Sequence, residues 1–215
     1  MVEITAKGLS GYDAGLIGQL KKEFAQRRCI ILPNLIQKEI LLKMLSRIES
    51  ALFQPKDHVD NKIRKNVFAN DLSIASNSVA LHQINLMLNN PLLFKVIEEI
   101  TGISGIKGFT GRIYRNMPSA GHHLDWHDDL GIAERLVAIS INLSAENFEN
   151  GIFQIRKKKS AAFLREVASG NLGDAHLFAI SPNLEHRVTE TTGQYPRTAA
   201  AGWFTSSPPS LFHHI

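Results

Sequence analysis

The sequence holds one cysteine, Cys29, among 215 residues. No intrachain disulfide can form, which suits a reducing compartment. It also lacks any run approaching the ~20 apolar residues that a membrane-spanning helix needs. The opening residues, Met1-Val2-Glu3-Ile4-Thr5, carry no basic stretch followed by an apolar one, so no signal peptide is expected. Together these absences predict a cytoplasmic protein with no membrane partner. There is no internal repeat and no low-complexity tract, which argues against a repeat array. Charge of one sign is not in large excess: 24 Lys and Arg stand against 20 Asp and Glu, for a net charge of +4. The densest basic cluster is Arg156-Lys157-Lys158-Lys159. No aromatic residue interleaves with it in the sequence, so it reads as a solvated loop rather than a nucleic-acid patch. An acidic substrate or carrier protein stays open.

What is present is the balance of an ordinary globular protein, with 44% hydrophobic and 20% charged residues. The length is enough for one large domain with a sizeable core. Residues 1–104 read as mainly helical. Ile36, Ile40, Leu41, Met44, Leu45, Ile48 and Leu52 recur at helical spacing. A second helix is punctuated by Asn90 as N-cap, Pro91 at the first helical position and Gly102 at the stop. Cys29-Ile30-Ile31-Leu32 reads as a short strand, and the polar stretch 54–78 as a long loop. Beyond Gly102 short β-type runs alternate with turn residues: Ile106–Tyr114, His122–His127, Arg135–Leu143, Gly151–Ile155, Ala175–Ile180, Arg187–Thr191 and Thr198–Thr205. Many short strands at regular spacing predict a sandwich or barrel. The expected fold class is therefore α+β: one domain over 1–215, with N-terminal helices packed on a β-core spanning 105–208.

His127-Asp128-Asp129, followed much later by His186 and Arg197, is the most informative pattern. Two imidazoles and one carboxylate can hold one face of an octahedral ferrous ion and leave the opposite face open. Asp129 lies two residues after His127, so on a strand both side chains would point to the same side. His123 and Asp125 form a rival pair, on the same face if the strand is unbroken. His176 rivals His186, although a strand histidine satisfied by a neighbour explains it better. His213 and His214, at the chain end, are poor ligands for a preformed site.

The stretch from Tyr114 to Pro208 resembles the Fe(II)/2-oxoglutarate-dependent oxygenases, in particular their prolyl-hydroxylase-like branch. The resemblance rests on an ordered set of motifs. They are Trp126-His127-Asp128-Asp129, the strand Arg135 to Leu143, Asn150-Gly151, Gly173-Asp174-Ala175, His186-Arg187-Val188-Thr189, and Gly193 to Arg197 leading into Gly202-Trp203-Phe204. It implies a double-stranded β-helix, a jelly-roll or cupin-like barrel. It also implies an Fe(II) centre held by His127, Asp129 and His186, with 2-oxoglutarate and O2 as co-substrates and ascorbate as a stimulating reductant. Arg197 would pair with the far carboxylate of 2-oxoglutarate, since a guanidinium fork engages carboxylates bidentately. Asn142 and Tyr114 are further candidates for binding it, with core packing an equal explanation for Tyr114. Trp126 and Trp203 read as core residues and Arg135 as structural. Relatives that halogenate replace the ligand carboxylate with a small residue; Asp129 is present, so hydroxylation or another oxidation is expected. The implied activity is hydroxylation of a small molecule, an amino acid or a peptidyl residue, with release of succinate and CO2. Desaturation or cyclisation by the same centre is an alternative outcome. An alternative of another class is a cupin-like metal-binding or scaffold protein without turnover. A nucleic-acid demethylase has little support, because no base-reading motif accompanies the lysines.

Overall fold

A computed structural model of the chain describes residues 1–59, 67–168 and 170–209, with the backbone alone at 59 and 67–69. His213 and His214 lie outside the described residues. In chain order the elements are β1 (Glu3–Thr5), β2 (Gly8–Ser10), α1 (Ala14–Arg27), β3 (Cys29–Leu32), α2 (Lys38–Glu49), β4 (Phe53–Val59), β5 (Val67–Ile74), α3 (Val79–Leu88) and α4 (Pro91–Thr101). They continue with β6 (Gly108–Asn116), β7 (His123–His127), β8 (Arg135–Asn142), β9 (Glu149–Asn150), β10 (Phe153–Lys157), β11 (Phe163–Val167), β12 (Ala175–Ala179), β13 (Leu184–Val188), β14 (Thr191–Thr192) and β15 (Arg197–Thr205).

Local chemistry explains the helix ends. Asp13 caps α1 by accepting from the Leu16 amide at 2.9 Å, and Arg28 closes it in the left-handed region. Asn90 caps α4 by accepting from Leu92 N, Pro91 occupies the first turn, and Gly102 stops it at φ 72°. The α4 punctuation and the strand Cys29–Leu32 fall where the sequence placed them. Helix α1 packs on α4 and β3, and α3 packs on β6. Phe204 joins these layers, with its ring centroid 5.1 Å from that of Phe109 and 6.0 Å from that of Phe94 on α4. Cys29 is buried here, and burial pushes its thiol up to about 12, which makes it a core group rather than a nucleophile. Among the described residues no helix is long and apolar enough to cross a membrane.

The eleven-stranded sheet runs β11-β10-β13-β7-β5-β6-β15-β8-β12-β3, with β4 paired to β5. It wraps into a nearly closed antiparallel barrel, the double-stranded β-helix that the resemblance implied. Strand β5 is the join, because it pairs with both β6 and β7. The expectation of a long loop over 54–78 is therefore corrected. Most of that stretch is the hairpin β4–β5, although residues 60–66 lie outside the described residues. Its polarity has a cause: Asp71 and His58 line a cavity instead of meeting an apolar core. The run expected as Arg187–Thr191 is also shifted, to β13 at Leu184–Val188. There Leu184, His186 and Val188 are buried and Glu185 and Arg187 are more exposed, so pleat alternation sets the boundaries.

Strands β6 and β15 approach closely where Gly111 pairs with Gly202. A Cβ built on Gly202 would lie 2.2 Å from Thr110 O and 2.6 Å from the Phe109 ring. Gly202→Val should therefore separate the strands, costing about 1–3 kcal/mol and lowering Tm by several degrees in a thermal melt. An unchanged Tm would show that the two strands tolerate a wider spacing.

Candidate active site

The barrel interior brings two distant segments together. On β13, His186 pairs directly with His127 on β7, a relation that sets opposed side chains within contact. The pairing is not uniform. Val188 pairs with Leu124, so three residues of β7 run against two of β13. This is a β-bulge, and it turns both Leu124 and His127 inward, beside Val188 and His186. The bulge also decides between the rival ligand pairs. Asp125 ends with a side chain 67% exposed, while those of His127 and Asp129 are 13% and 10% exposed. His123 stays at the cavity rim, its Nδ1 2.7 Å from Gly121 O.

Asp129 does not reach the site by strand alternation. Strand β7 ends at His127, and Asp129 sits in the left-handed region at φ 61°. Asp is one of the few non-glycine residues that adopts this conformation readily. The turn aims the carboxylate back between the imidazoles, with His127 Nε2 3.4 Å from Oδ1 and His186 Nε2 3.3 Å from Oδ2. One ligand atom from each residue lies within 4.8 Å of the others, which is the spacing of a group able to hold one metal ion. His127 Nδ1 lies 2.7 Å from the Asp125 carbonyl. A carbonyl only accepts, so Nδ1 carries the proton and Nε2 offers a lone pair, the arrangement a metal ligand requires.

Two side chains the sequence placed elsewhere complete this corner. Trp203, expected in the core, donates from Nε1 to Asp129 Oδ2 at 2.9 Å. Arg135, expected to be structural, lies over the Trp203 ring at 3.4 Å, with NH1 3.5 Å from Asp129 Oδ1. Strand parity was the available signal for Trp203, because it shares a face with Arg197, Ala199 and Ala201. Burial pushes the Asp129 carboxyl up, yet the two imidazoles outweigh it and hold the group well below the usual carboxylate range. For His186 burial wins, and with His127 nearby it lowers the imidazole despite Asp129.

Arg197 begins β15 and is 5% exposed; its guanidinium donates a short hydrogen bond to the hydroxyl of buried Tyr114. Tyr114 lines the same cavity as the three candidate ligands. Arg197 instead lines a second cavity that adjoins the first, with Ser140, Phe153 and His176 lining both. Asn142, expected to bind 2-oxoglutarate, is used differently. Its Nδ2 donates to Gly170 O at 2.7 Å and Asn171 O at 3.2 Å, and its Oδ1 accepts from Ser144 N at 3.0 Å. The amide thereby clamps the loop before β12. The expectation of a satisfied His176 is also corrected: among the described residues its buried Nε2 has no hydrogen-bond partner. In the wall of the first cavity, buried Asp71 is held by Arg112 at 2.7 Å and His58 at 3.3 Å. The sequence showed no signal for this trio.

A carboxylate between two imidazoles inside a jelly-roll barrel is an arrangement that could hold a metal ion. Residues 112–205 match the family model described as the 2OG-Fe(II) oxygenase superfamily. No curated protein matches the sequence. Similar folds occur in a 2OG-Fe(II) oxygenase family oxidoreductase from Burkholderia pseudomallei (12% identity, TM-score 0.65, 92% of this chain and 94% of that one). They also occur in a Pseudomonas putida prolyl-4-hydroxylase (15%, 0.61, 89% and 99%). A third is a Trichoplax adhaerens prolyl hydroxylase in complex with a hypoxia inducible factor peptide fragment (14%, 0.63, 89% and 90%). The superfamily implies Fe(II) and 2-oxoglutarate.

Burial and the charge of Arg197 push the His176 imidazole down to about 3. An unfolded histidine titrates near ~6.5, so between about pH 5 and 6.5 the unfolded chain binds protons at His176 and His186 that the folded chain excludes. Stability should therefore fall as pH drops through that window. Melts of chelator-treated protein at pH 7, 6 and 5 should show a falling Tm, with a shallower slope in His176→Leu. Equal slopes would mean that His176 is charged in the folded state.

Proposed function

We propose that the chain is a non-haem Fe(II)- and 2-oxoglutarate-dependent dioxygenase. It hydroxylates a small molecule, an amino acid or a peptidyl residue and releases succinate and CO2. The observation that carries this reading is the convergence of His127, Asp129 and His186 on one wall of a cavity, with Arg197 and Tyr114 paired beyond it. The residues fit the implied groups. Two neutral imidazoles and one carboxylate suit ferrous iron. Buried polar atoms without partners among the described residues, at Asn116, Ser140 and His176, suit a polar co-substrate. Iron bound there, with 2-oxoglutarate and O2, would supply the oxidising power for an unactivated C–H bond.

In this reading His127, Asp129 and His186 hold the metal. Trp203 and Arg135 keep the Asp129 carboxylate aimed at it. The Arg197 guanidinium, oriented by the Tyr114 hydroxyl, binds the far carboxylate of 2-oxoglutarate. The apolar walls at Ala138, Ile139 and Phe153 exclude water. His58, Asp71, Arg112 and His123 border the same cavity, where substrate would enter. The whole chain acts as one domain, with the helices of residues 1–104 supporting a barrel to which β3, β4 and β5 also contribute.

Succinate release from 2-oxoglutarate with Fe(II), O2 and ascorbate tests the reading. The wild-type chain should show uncoupled turnover, raised by the correct substrate in a metabolite and peptide screen. Asp129→Ala should lose turnover to background, because the charged ligand is gone. Arg197→Ala should weaken 2-oxoglutarate affinity by roughly 30-fold or more, the cost of unpairing a buried carboxylate, and change iron affinity little. A wild-type chain that binds neither iron nor 2-oxoglutarate would instead be a scaffold barrel.

A further inference from the structure

The trio of His58, Asp71 and Arg112 has spare donors and no spare acceptor. Asp71, on β5, is buried, and burial alone would raise its carboxyl, but His58 and Arg112 beside it hold the group below the ordinary value. Both of its oxygens are taken. Oδ1 accepts from Arg112 NH1 at 2.8 Å and from Ser73 Oγ at 3.0 Å, while Oδ2 meets Arg112 NH2 at 2.7 Å with His58 Nε2 3.3 Å away. Arg112 is therefore engaged end-on, and NH1 also donates to Ser73 Oγ at 2.8 Å. A guanidinium is planar with five N–H groups, so an end-on pair leaves a second fork at its side, made of Nε–H and the outer N–H of NH2. Among the described residues nothing accepts from that side fork. The Arg112 side chain is 23% exposed, and it lines the cavity that also holds His127, Asp129 and His186. Arg112 and Arg197 both lie over the Tyr114 ring, 4.7 and 5.3 Å from its centroid. Arg197 is assigned to the co-substrate, so the fork on Arg112 is left for another ligand.

We propose that the substrate carries a carboxylate, held bidentately by the side fork of Arg112. This rests on the oxygenase reading above and narrows its substrate to an acid. A free amino acid or another small carboxylic acid fits, and an internal residue of a peptide does not. The two parallel N–H groups of the fork match the two oxygens of a carboxylate, and such paired bonds are both strong and directional. Asp71 already fixes the guanidinium by its other edge, so little side-chain freedom is lost when the acid binds. A cationic head group is disfavoured, because the Asp71 oxygens are occupied and offer it no acceptor. Asp71 also offsets the charge of Arg112, so recognition comes from directed hydrogen bonds more than from net charge. Arg112 is thus a specificity residue, which sets how an acid lies in the cavity relative to the metal corner.

Nuclear magnetic resonance of Zn(II)-loaded protein, saturated with 2-oxoglutarate, tests this in the absence of turnover. The probes are two acid–amide pairs, propionate with propionamide and L-norvaline with L-norvalinamide. Backbone amides of β5 and β6 should shift saturably, each acid binding about tenfold or more tighter than its amide, the range for hydrogen bonds to a charged group. Arg112→Gln should abolish that preference. A role in packing alone would weaken acid and amide alike and leave the preference unchanged. Should Arg112→Gln fail to fold, Arg112→Lys decides, since it keeps a charge for Asp71 but has no fork, and the preference should shrink. Equal affinities for acid and amide in the wild-type chain, or no binding of either acid, would overturn the carboxylate site and leave the oxygenase reading intact. A preference undiminished by the deciding substitution would overturn it as well, by giving the acid to another group. A wild-type spectrum that does not respond to 2-oxoglutarate overturns the oxygenase reading and the substrate assignment with it.

Discussion

A carboxylate buried inside a β-barrel is the constraint around which this molecule is arranged. Asp129 is nearly hidden from water, and an isolated charge there would be strongly disfavoured. It is tolerable because polar groups meet it from both sides. The imidazoles of His127 and His186 stand on one side, the indole of Trp203 and the guanidinium of Arg135 on the other. Each partner comes from a different strand, so the site exists only when β7, β8, β13 and β15 are all in register. The left-handed turn at Asp129 and the bulge in β7 are local departures from regular β-structure that this convergence demands. Departures of this kind are expected where function and regular geometry compete.

The rest of the barrel supports a polar interior that does little for stability by itself. Among the described residues, buried polar atoms at Ser140, His176 and Asn116 lack partners, and each such group costs about 1–3 kcal/mol. The apolar core on the other face of the sheet offsets this. There Phe94, Phe109 and Phe204 lock α4 to β6 and β15, and α1 covers β3. The helical half is thus the foundation of the site as well as its flank. The hairpin β4–β5 has a separate task. It bridges β6 and β7 and places Asp71 and His58 against Arg112 in the cavity wall.

Much of this was legible from local signals. Caps at Asn90 and Gly102, the strand Cys29–Leu32 and the strand beginning at Arg135 are chain-local effects, and they appear where expected. The three candidate ligands were legible because a His-x-Asp and a distant His are a chemical pattern as well as a spatial one. The polar stretch 54–78 was misread, because His58 on β4 and Asp71 on β5 line a cavity, so polar residues stand where an apolar period would. Arg156 and Arg187 illustrate another limit. Nothing in the sequence pairs them with an aromatic residue, yet both lie over the Trp126 ring, brought together by neighbouring strands.

The sequence alone determined which residue types can hold a ferrous ion, the order of the β-core and the ends of α4, because backbone preference and ligand chemistry are properties of residues and their near neighbours. Only the tertiary structure decided which His-x-Asp pair faces inward, since that turns on a single extra residue in β7 relative to β13. It alone gave Asn142 to the backbone and left His176 unpaired, because hydrogen-bond partners are settled by which strands lie side by side. Trp203 and Arg135 became partners of Asp129 for the same reason. Residues 74 and 6 positions from it in the chain meet at one carboxylate only after the barrel has formed.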